Sequence, residues 1–241
     1  MVASVSEFFK KNDVSLDSKI IPTKKPGLYS VKIENKNVNS ELCKSILTAG
    51  DETLGITTTN TDNGVLLTSE YGTAEVFFDN SFSIEFTGKY MRDRYKKSDE
   101  SKKLLEFVHN NGLLPDAFTL EFSKEGDRIS AEACFKGEKI FNCIFTFTIK
   151  NERLVGLTST GQTGNMLGYS KINARDAVNC LFDLLQDYPD LIIGSEVVSI
   201  SSGYLTPSNI VSNYYLLIPT WRVTLSDGRV INYNMETAKV Y

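Results

Sequence analysis

The groups that could do chemistry in this 241-residue sequence are one histidine, four cysteines and 30 carboxylates. The histidine, His109, falls near the end of a predicted helix, where a partial positive charge suits the helix dipole. A structural role follows from that position. Cys43, Cys134, Cys143 and Cys180 form no C-x-x-C, and with a single histidine they lack the spacing of a zinc site. Cys134 and Cys143 fall on successive predicted strands. With Gly137-Glu138 as the turn, Cys134 faces Phe141 and Cys143 faces Glu132, a diagonal placement that disfavours a disulfide. Four reduced, mostly buried thiols are expected, acting as small hydrophobes. Gly161 to Gly168 is glycine-rich but has no Gly-Lys-Ser/Thr, so it reads as a connection and not a phosphate loop. There is no Gly-x-Ser-x-Gly elbow. Asp183, Asp187 and Asp190 flank a helix end without a calcium-loop pattern. No catalytic residue, cofactor site or metal site is predicted.

The aromatic residues near the C-terminus allow two readings. Tyr204, Leu205, Tyr214, Tyr215, Trp221 and Tyr233 could form an exposed patch for a protein partner. Trp221 by itself reads as a core aromatic on a central strand, its indole N–H bonded to backbone. The exposed edge, or the loop Leu205 to Asn209, is then the expected contact.

The elements that must position these groups alternate between helices and short strands. Ser4 to Asn12 is a short amphipathic helix, and the proline-bearing stretch 12–27 is predicted to lie extended along another surface. A strand over 29–35 precedes a helix capped by Asn39 or Ser40 and ended by Gly50. Four strands follow, with breaks at Asp62-Asn63-Gly64, Tyr71-Gly72 and Asp79-Asn80. Ser98 opens a helix to Asn111, stopped by Gly112, and four more strands run from 117 to 160. Gly161 to Tyr169 is a loop. Asn173 caps a helix through Tyr188, and a closing antiparallel sheet follows: 196–204, 213–226 and 229–234, with Asp227-Gly228 as a hairpin turn. The pattern predicts an α+β fold: repeated units of one helix packed on a three- to four-stranded antiparallel sheet. The predicted domains are a stalk and linker (1–28), an N-terminal α+β domain (29–90) and a C-terminal one (91–241), the last made of units 91–165 and 166–241.

Composition bounds the function. Hydrophobic residues are 41% and charged residues 23%, ordinary for a globular protein. A net charge of −4 disfavours general nucleic-acid binding. The basic stretch 89–103 holds Lys89, Arg92, Arg94, Lys96, Lys97, Lys102 and Lys103, interleaved with Tyr90 and Tyr95. It reads as a solvated linker and first helical turn, with Asp93, Asp99 and Glu100 offsetting part of the charge. The sharper alternative is a patch for anionic lipid, cell-wall polymer or nucleic acid. No apolar run approaches the roughly 20 residues of a membrane helix.

The pattern Leu217-Ile218-Pro219-Thr220-Trp221-Arg222-Val223, a short turn, Ile231-Asn232-Tyr233-Asn234 and a final Val240 resembles the C-terminus of the YycI and YycH regulatory proteins. Ser202-Gly203-Tyr204 upstream fits the same pattern. So does the N-terminal run Phe8-Phe9-x-x-Asn12-x-Val14 with Ile20-Ile21-Pro22 and Pro26. The arrangement is shared with PepSY-like domains, and the family tends to close with Asn-Ala-x-Thr-Gly; this chain has Asn234-Met235-Glu236-Thr237-Ala238, a departure that counts more against a PepSY domain proper than against the YycI pattern. The resemblance implies a non-enzymatic accessory regulator on the extracytoplasmic face of the cell membrane. Its implied partners are a sensor histidine kinase and a sister YycH-like protein, and its anchor an N-terminal membrane helix that this chain lacks. The alternatives are a PepSY-like peptide- or protease-binding inhibitory domain, a hydrolase built on scattered carboxylates, and, for location, the cytoplasm.

Overall fold

The computed structural model describes residues 2–35, 39–49, 51, 53–79, 81–87, 94–161, 164–207 and 212–241. In chain order the elements are α1 (Val2–Lys11), β1 (Ser15–Leu16), a 3₁₀ turn (Ser18–Ile20), β2 (Tyr29–Glu34), α2 (Asn39–Thr48), β3 (Thr57–Thr61), β4 (Gly64–Ser69), β5 (Gly72–Phe77) and β6 (Phe82–Phe86). Then come α3 (Glu100–Asn110), β7 (Phe118–Glu125), β8 (Arg128–Phe135), β9 (Glu138–Lys150), β10 (Arg153–Thr160) and β11 (Met166–Lys171). The chain finishes with α4 (Ala177–Asp187), α5 (Pro189–Ile192), β12 (Glu196–Leu205), β13 (Tyr214–Leu216), β14 (Ile218–Leu225) and β15 (Val230–Asn234). No described helix is long and apolar enough to cross a membrane.

Among the described residues strand predominates, 46% against 21% helix, so the protein is mostly β. This overturns the expected α+β plan of repeated helix-on-sheet units. The strands β3 to β10 join one sheet instead of closing into separate three- or four-stranded sheets, and β11, β2 and β13 make a three-stranded sheet that no helix-strand unit in the sequence predicted. Two compact units result, and both are discontinuous in sequence: 1–31 with 169–205 and 217–241, and 32–168 with 206–216. The expected boundary near residue 90 falls among the undescribed residues 88–93, and β6 before it pairs with β10 after it. Residues 91–241 likewise do not form one body, since 169–205 and 217–241 group with the N-terminal 31 residues.

The second unit is built on an eight-stranded antiparallel sheet in the order β7-β8-β9-β10-β6-β5-β4-β3. Its inner face shows the expected alternation: along β9, Cys143, Phe145, Phe147 and Ile149 are buried between half-exposed neighbours. Helix α2 lays Cys43, Ile46 and Leu47 against β4, β5 and β6. It ends on Ala49 at φ 53°; Gly50, the expected stop, lies outside the described residues, as do Asn80, Lys89, Tyr90 and Arg92. Helix α3 buries Leu104 and Val108 and stops at Gly112, φ 65°. Of the basic stretch, Tyr95 is buried and donates its N–H to Glu152 O, so that residue belongs to the fold.

In the first unit β12, β14 and β15 form an antiparallel ribbon, and β1 pairs in parallel with β12. The 12–27 stretch is therefore not merely extended: it contributes a short strand and the 3₁₀ turn, capped by Asp17 on Lys19 N–H at 2.9 Å. Helix α4 is capped by Asp176, whose carboxylate accepts from Asn179 N–H at 2.8 Å, and not by Asn173. Met166–Lys171 is a strand where a loop was expected, and the single strand expected over 213–226 breaks at Leu217. The turn before β9 is Lys136-Gly137, one residue earlier than expected, with both at positive φ. A bulge between Glu132 and Cys134 then resets the register.

Two glycines let strands approach more closely than a side chain allows. A Cβ on Gly64 would lie 1.9 Å from Val76 O, and one on Gly72, at φ 150°, 2.1 Å from Glu85 O. Both contacts are with backbone in paired strands, which cannot yield cheaply. Gly64→Ala is expected to destabilise the second unit by about 2–3 kcal/mol, the cost of an overpacked interior. Urea unfolding followed by near-UV circular dichroism measures it.

Candidate interaction site

The strand β13 places the exposed aromatic surface. Its alternation sends Tyr215 inward and leaves Tyr214 44% and Leu216 46% exposed. Antiparallel pairing sets Tyr214 opposite Glu34 and Leu216 opposite Lys32, so all four share one face. Lys32 Nζ sits 3.7 Å from the centre of the Tyr214 ring, a cation–π contact that fixes the ring's orientation. Asn165 donates from Nδ2 to Glu34 Oε2 at 3.0 Å, and Glu34 N–H donates to Asn165 O at 2.8 Å. By alternation from Asn165, Leu167, 53% exposed, joins the same face. The result is an amphipathic surface: Tyr214, Leu216 and Leu167 supply apolar area, and Lys32 and Glu34 are held in place by neighbours. Such a surface suits protein recognition, in which a rigid aromatic loses little entropy on binding.

The structure separates the sequence-predicted aromatic residues. Of the six, Tyr214 alone is exposed. Leu205 and Tyr215 are buried, and burial pushes the Tyr215 hydroxyl pKa up, with the Cys143 thiol adding to it. Tyr204 is fully buried, and its hydroxyl oxygen accepts from Tyr29 N–H at 2.9 Å. Tyr233 is fully buried and Trp221 is 1% exposed. Trp221 thus takes the structural reading: its indole N–H donates to Arg175 O at 2.9 Å. In the loop expected to make contact, Thr206 is held by Asn142, which accepts from Thr206 N–H at 2.8 Å and donates to Thr206 O at 3.0 Å; Ser208 and Asn209 lie outside the described residues.

The C-terminal motif is a polar turn built on the β14–β15 hairpin. Trp221 stands opposite Tyr233, Thr220 opposite Asn234 and Arg222 opposite Asn232. The buried Asn234 accepts on Oδ1 from the N–H groups of Glu236 at 2.8 Å and Thr237 at 3.0 Å. Its carbonyl accepts from Ala238 N–H at 3.0 Å, and its own N–H donates to Lys239 O at 2.8 Å. Ala238 closes the turn at φ 59°. Around Tyr233, Asp183 accepts from the Tyr233 hydroxyl and from Arg175 Nη1 at 2.9 Å. Burial and then the bond to Asp183 push the Tyr233 pKa up. Sequence reasoning set Asp183 among flanking carboxylates; its partners come from segments 8 and 50 residues away.

The remaining reactive groups are engaged structurally. His109 Nε2 lies 3.1 Å from Phe118 O, so that nitrogen carries the proton and ties the end of α3 to β7. All four cysteines are free and buried, and burial pushes Cys43 and Cys143 up to about 12. In the first unit a groove of about 630 Å³ is lined by Glu7, Lys10, Asp13, Glu196, Asp227 and Arg229, among others. The Arg229 N–H and guanidinium hold the Asp227 carboxyl below the usual range, the wrong direction for a proton donor at neutral pH. No group of three His, Cys, Asp or Glu among the described residues is placed to hold a metal ion.

No family model matches the chain, and no curated protein matches it. Among solved structures, the crystal structure of an uncharacterized protein from Eubacterium rectale ATCC 33656 superposes with a TM-score of 0.48 at 10% identity, over 95% of this chain and 89% of that one. At that level the likeness carries no argument about function.

Two outcomes follow from this geometry. Asn234→Ala removes the buried side chain that accepts from the N–H groups of Glu236 and Thr237, and is expected to cost about 1–2 kcal/mol in chemical denaturation. The native thiols should be inert to Ellman's reagent at pH 8, because all four are buried from the reagent and burial raises the pKa of each; all four should react on unfolding in guanidinium.

Proposed function

We propose that this chain is a non-enzymatic accessory regulator of the YycI/YycH type. It acts on the extracytoplasmic face of the cell membrane and binds a sensor histidine kinase together with a sister regulator. What supports the reading is Ala238. PepSY-like and YycI-like chains tend to carry glycine at this point, and the missing glycine is the chain's departure from the pattern. Yet Ala238 keeps φ 59°, the left-handed conformation that glycine supplies without strain. The turn that the motif encodes is therefore present, held by Asn234 in place of an unstrained glycine. Regulation by such a protein requires that it bind two kinase states with different free energy. The face carrying Tyr214, Leu216 and Leu167 offers the apolar area for that contact.

The full-length product, tagged at its own locus, is to be crosslinked after membrane and cytosol are separated, and its partners identified by mass spectrometry. The expected result is recovery from the membrane with a histidine kinase and a second protein of similar size. The double variant Tyr214→Ala, Leu216→Ala is expected to lower that recovery about tenfold with an unchanged melting temperature. A cytosolic product without these partners overturns the proposal. Separately, Ala238→Gly should raise stability by about 0.5–1 kcal/mol, since relief of left-handed strain outweighs the added freedom of the unfolded chain.

A further inference from the structure

The eight-stranded sheet of the second unit has two ends, and they are treated differently. At one end, β7 carries Lys124 at an outward-bonding position, ion-paired to Glu100 of α3 at 2.8 Å. Glu121 and Glu125 add charge to the same strand, and His109 and Pro115 bond the backbone of Phe118. These are the devices by which natural sheets block pairing with another chain. At the other end, β3 reads Thr57-Thr58-Thr59-Asn60-Thr61. It has no charge and no proline, and residues 57–60 are exposed. Among the described strands it pairs with β4 alone.

The register shows which backbone groups are free. The turn Asp62-Asn63 closes on the pair Thr61–Gly64, so Thr57, Thr59 and Thr61 direct their N–H and C=O groups to β4. Thr58 and Asn60 therefore direct theirs away from the sheet. A second copy of β3, related by a twofold axis through Thr59, meets these groups with its own. Thr58 then lies opposite Asn60 of the second copy, and Asn60 opposite Thr58, each pair exchanging both N–H···O=C bonds. Thr59 falls opposite Thr59, and Thr57 opposite Thr61, as close side-chain pairs of the kind that stabilise sheets. Asp62 meets Ile56, so no like charges face one another.

We infer that β3 pairs antiparallel with β3 of a second copy, making a symmetric dimer through the sheet edge. The inference does not depend on the regulatory reading. The test uses the full chain. Sedimentation equilibrium should show a dimer whose dissociation constant rises about tenfold in Thr58→Pro, which removes an outward donor and leaves the ladder to β4 intact. An unchanged melting temperature shows that the variant folds. Thr59→Cys should form a disulfide-linked dimer on mild oxidation, because a close antiparallel pair sets the Cα atoms about 4.5 Å apart, within disulfide range. Thr58→Cys, facing Asn60 in this register, should crosslink at least tenfold more slowly. The native thiols are buried and do not compete. A wild-type monomer at concentrations up to about 0.1 mM overturns the inference. So does a dimer that Thr58→Pro leaves intact, or equal crosslinking at positions 58 and 59.

Discussion

Every backbone N–H and C=O removed from water must find a partner, and a mostly β chain meets that demand strand by strand. The long strand β9 is satisfied by β8 and β10, and β6 continues the ladder from β10. Each added strand inherits an outward row of polar groups and must pass it on. This is why β3 to β10 join one sheet within the second unit, leaving only β11, β2 and β13, among the described strands, in a small sheet of their own. It also explains the discontinuous units: a strand's best partner is the one with matching free groups, wherever it lies in sequence.

The first unit resolves its edge within the chain. Tyr241 N–H donates to Asn232 O, and Val240 bridges Tyr233, so the last residues cover the outer side of β15. The turn that brings them back is the Asn234 turn. Its polar side chain is buried beside Trp221 and Tyr233, where unpaired groups would cost most, and it is satisfied there. The motif Pro219-Thr220-Trp221 with Asn232-Tyr233-Asn234 is thus a structural device: a buried aromatic pair across a hairpin and an asparagine that returns the chain. Its tryptophan is anchored to Arg175 O, and Arg175 in turn reaches Asp183, which also takes the Tyr233 hydroxyl. Surface available for recognition lies elsewhere, where β13 turns Tyr214 and Leu216 outward.

Local chemistry made much of this visible in advance. The turn at Asp227-Gly228, the stop at Gly112, the alternation along β9 and the core role of Trp221 follow from φ preferences and period-two burial, which a window of a few residues contains. The aromatic patch was partly legible. Tyr214 and Tyr215 are adjacent, so a strand must send them to opposite faces, and period alone separates them. Which of the two faces solvent depended on β2, lying about 180 residues earlier. The α+β expectation failed because helix and strand segments were recognised singly while strand partners were not. Nothing in residues 82–86 specifies pairing with 153–160.

The sequence by itself determined the element types, most turns, the burial of the cysteines and the lack of local motifs for metal or phosphate chemistry. These depend on contacts within a turn or a strand period. Only the tertiary structure decided the division into two discontinuous units, the burial of Tyr204 and Tyr233, the partnership of Arg175, Asp183 and Tyr233, and which strand was left at a sheet edge. Those outcomes rest on hydrogen bonds and packing between segments far apart in the chain. Each such pairing is chosen in competition with every other strand, so no local pattern encodes it.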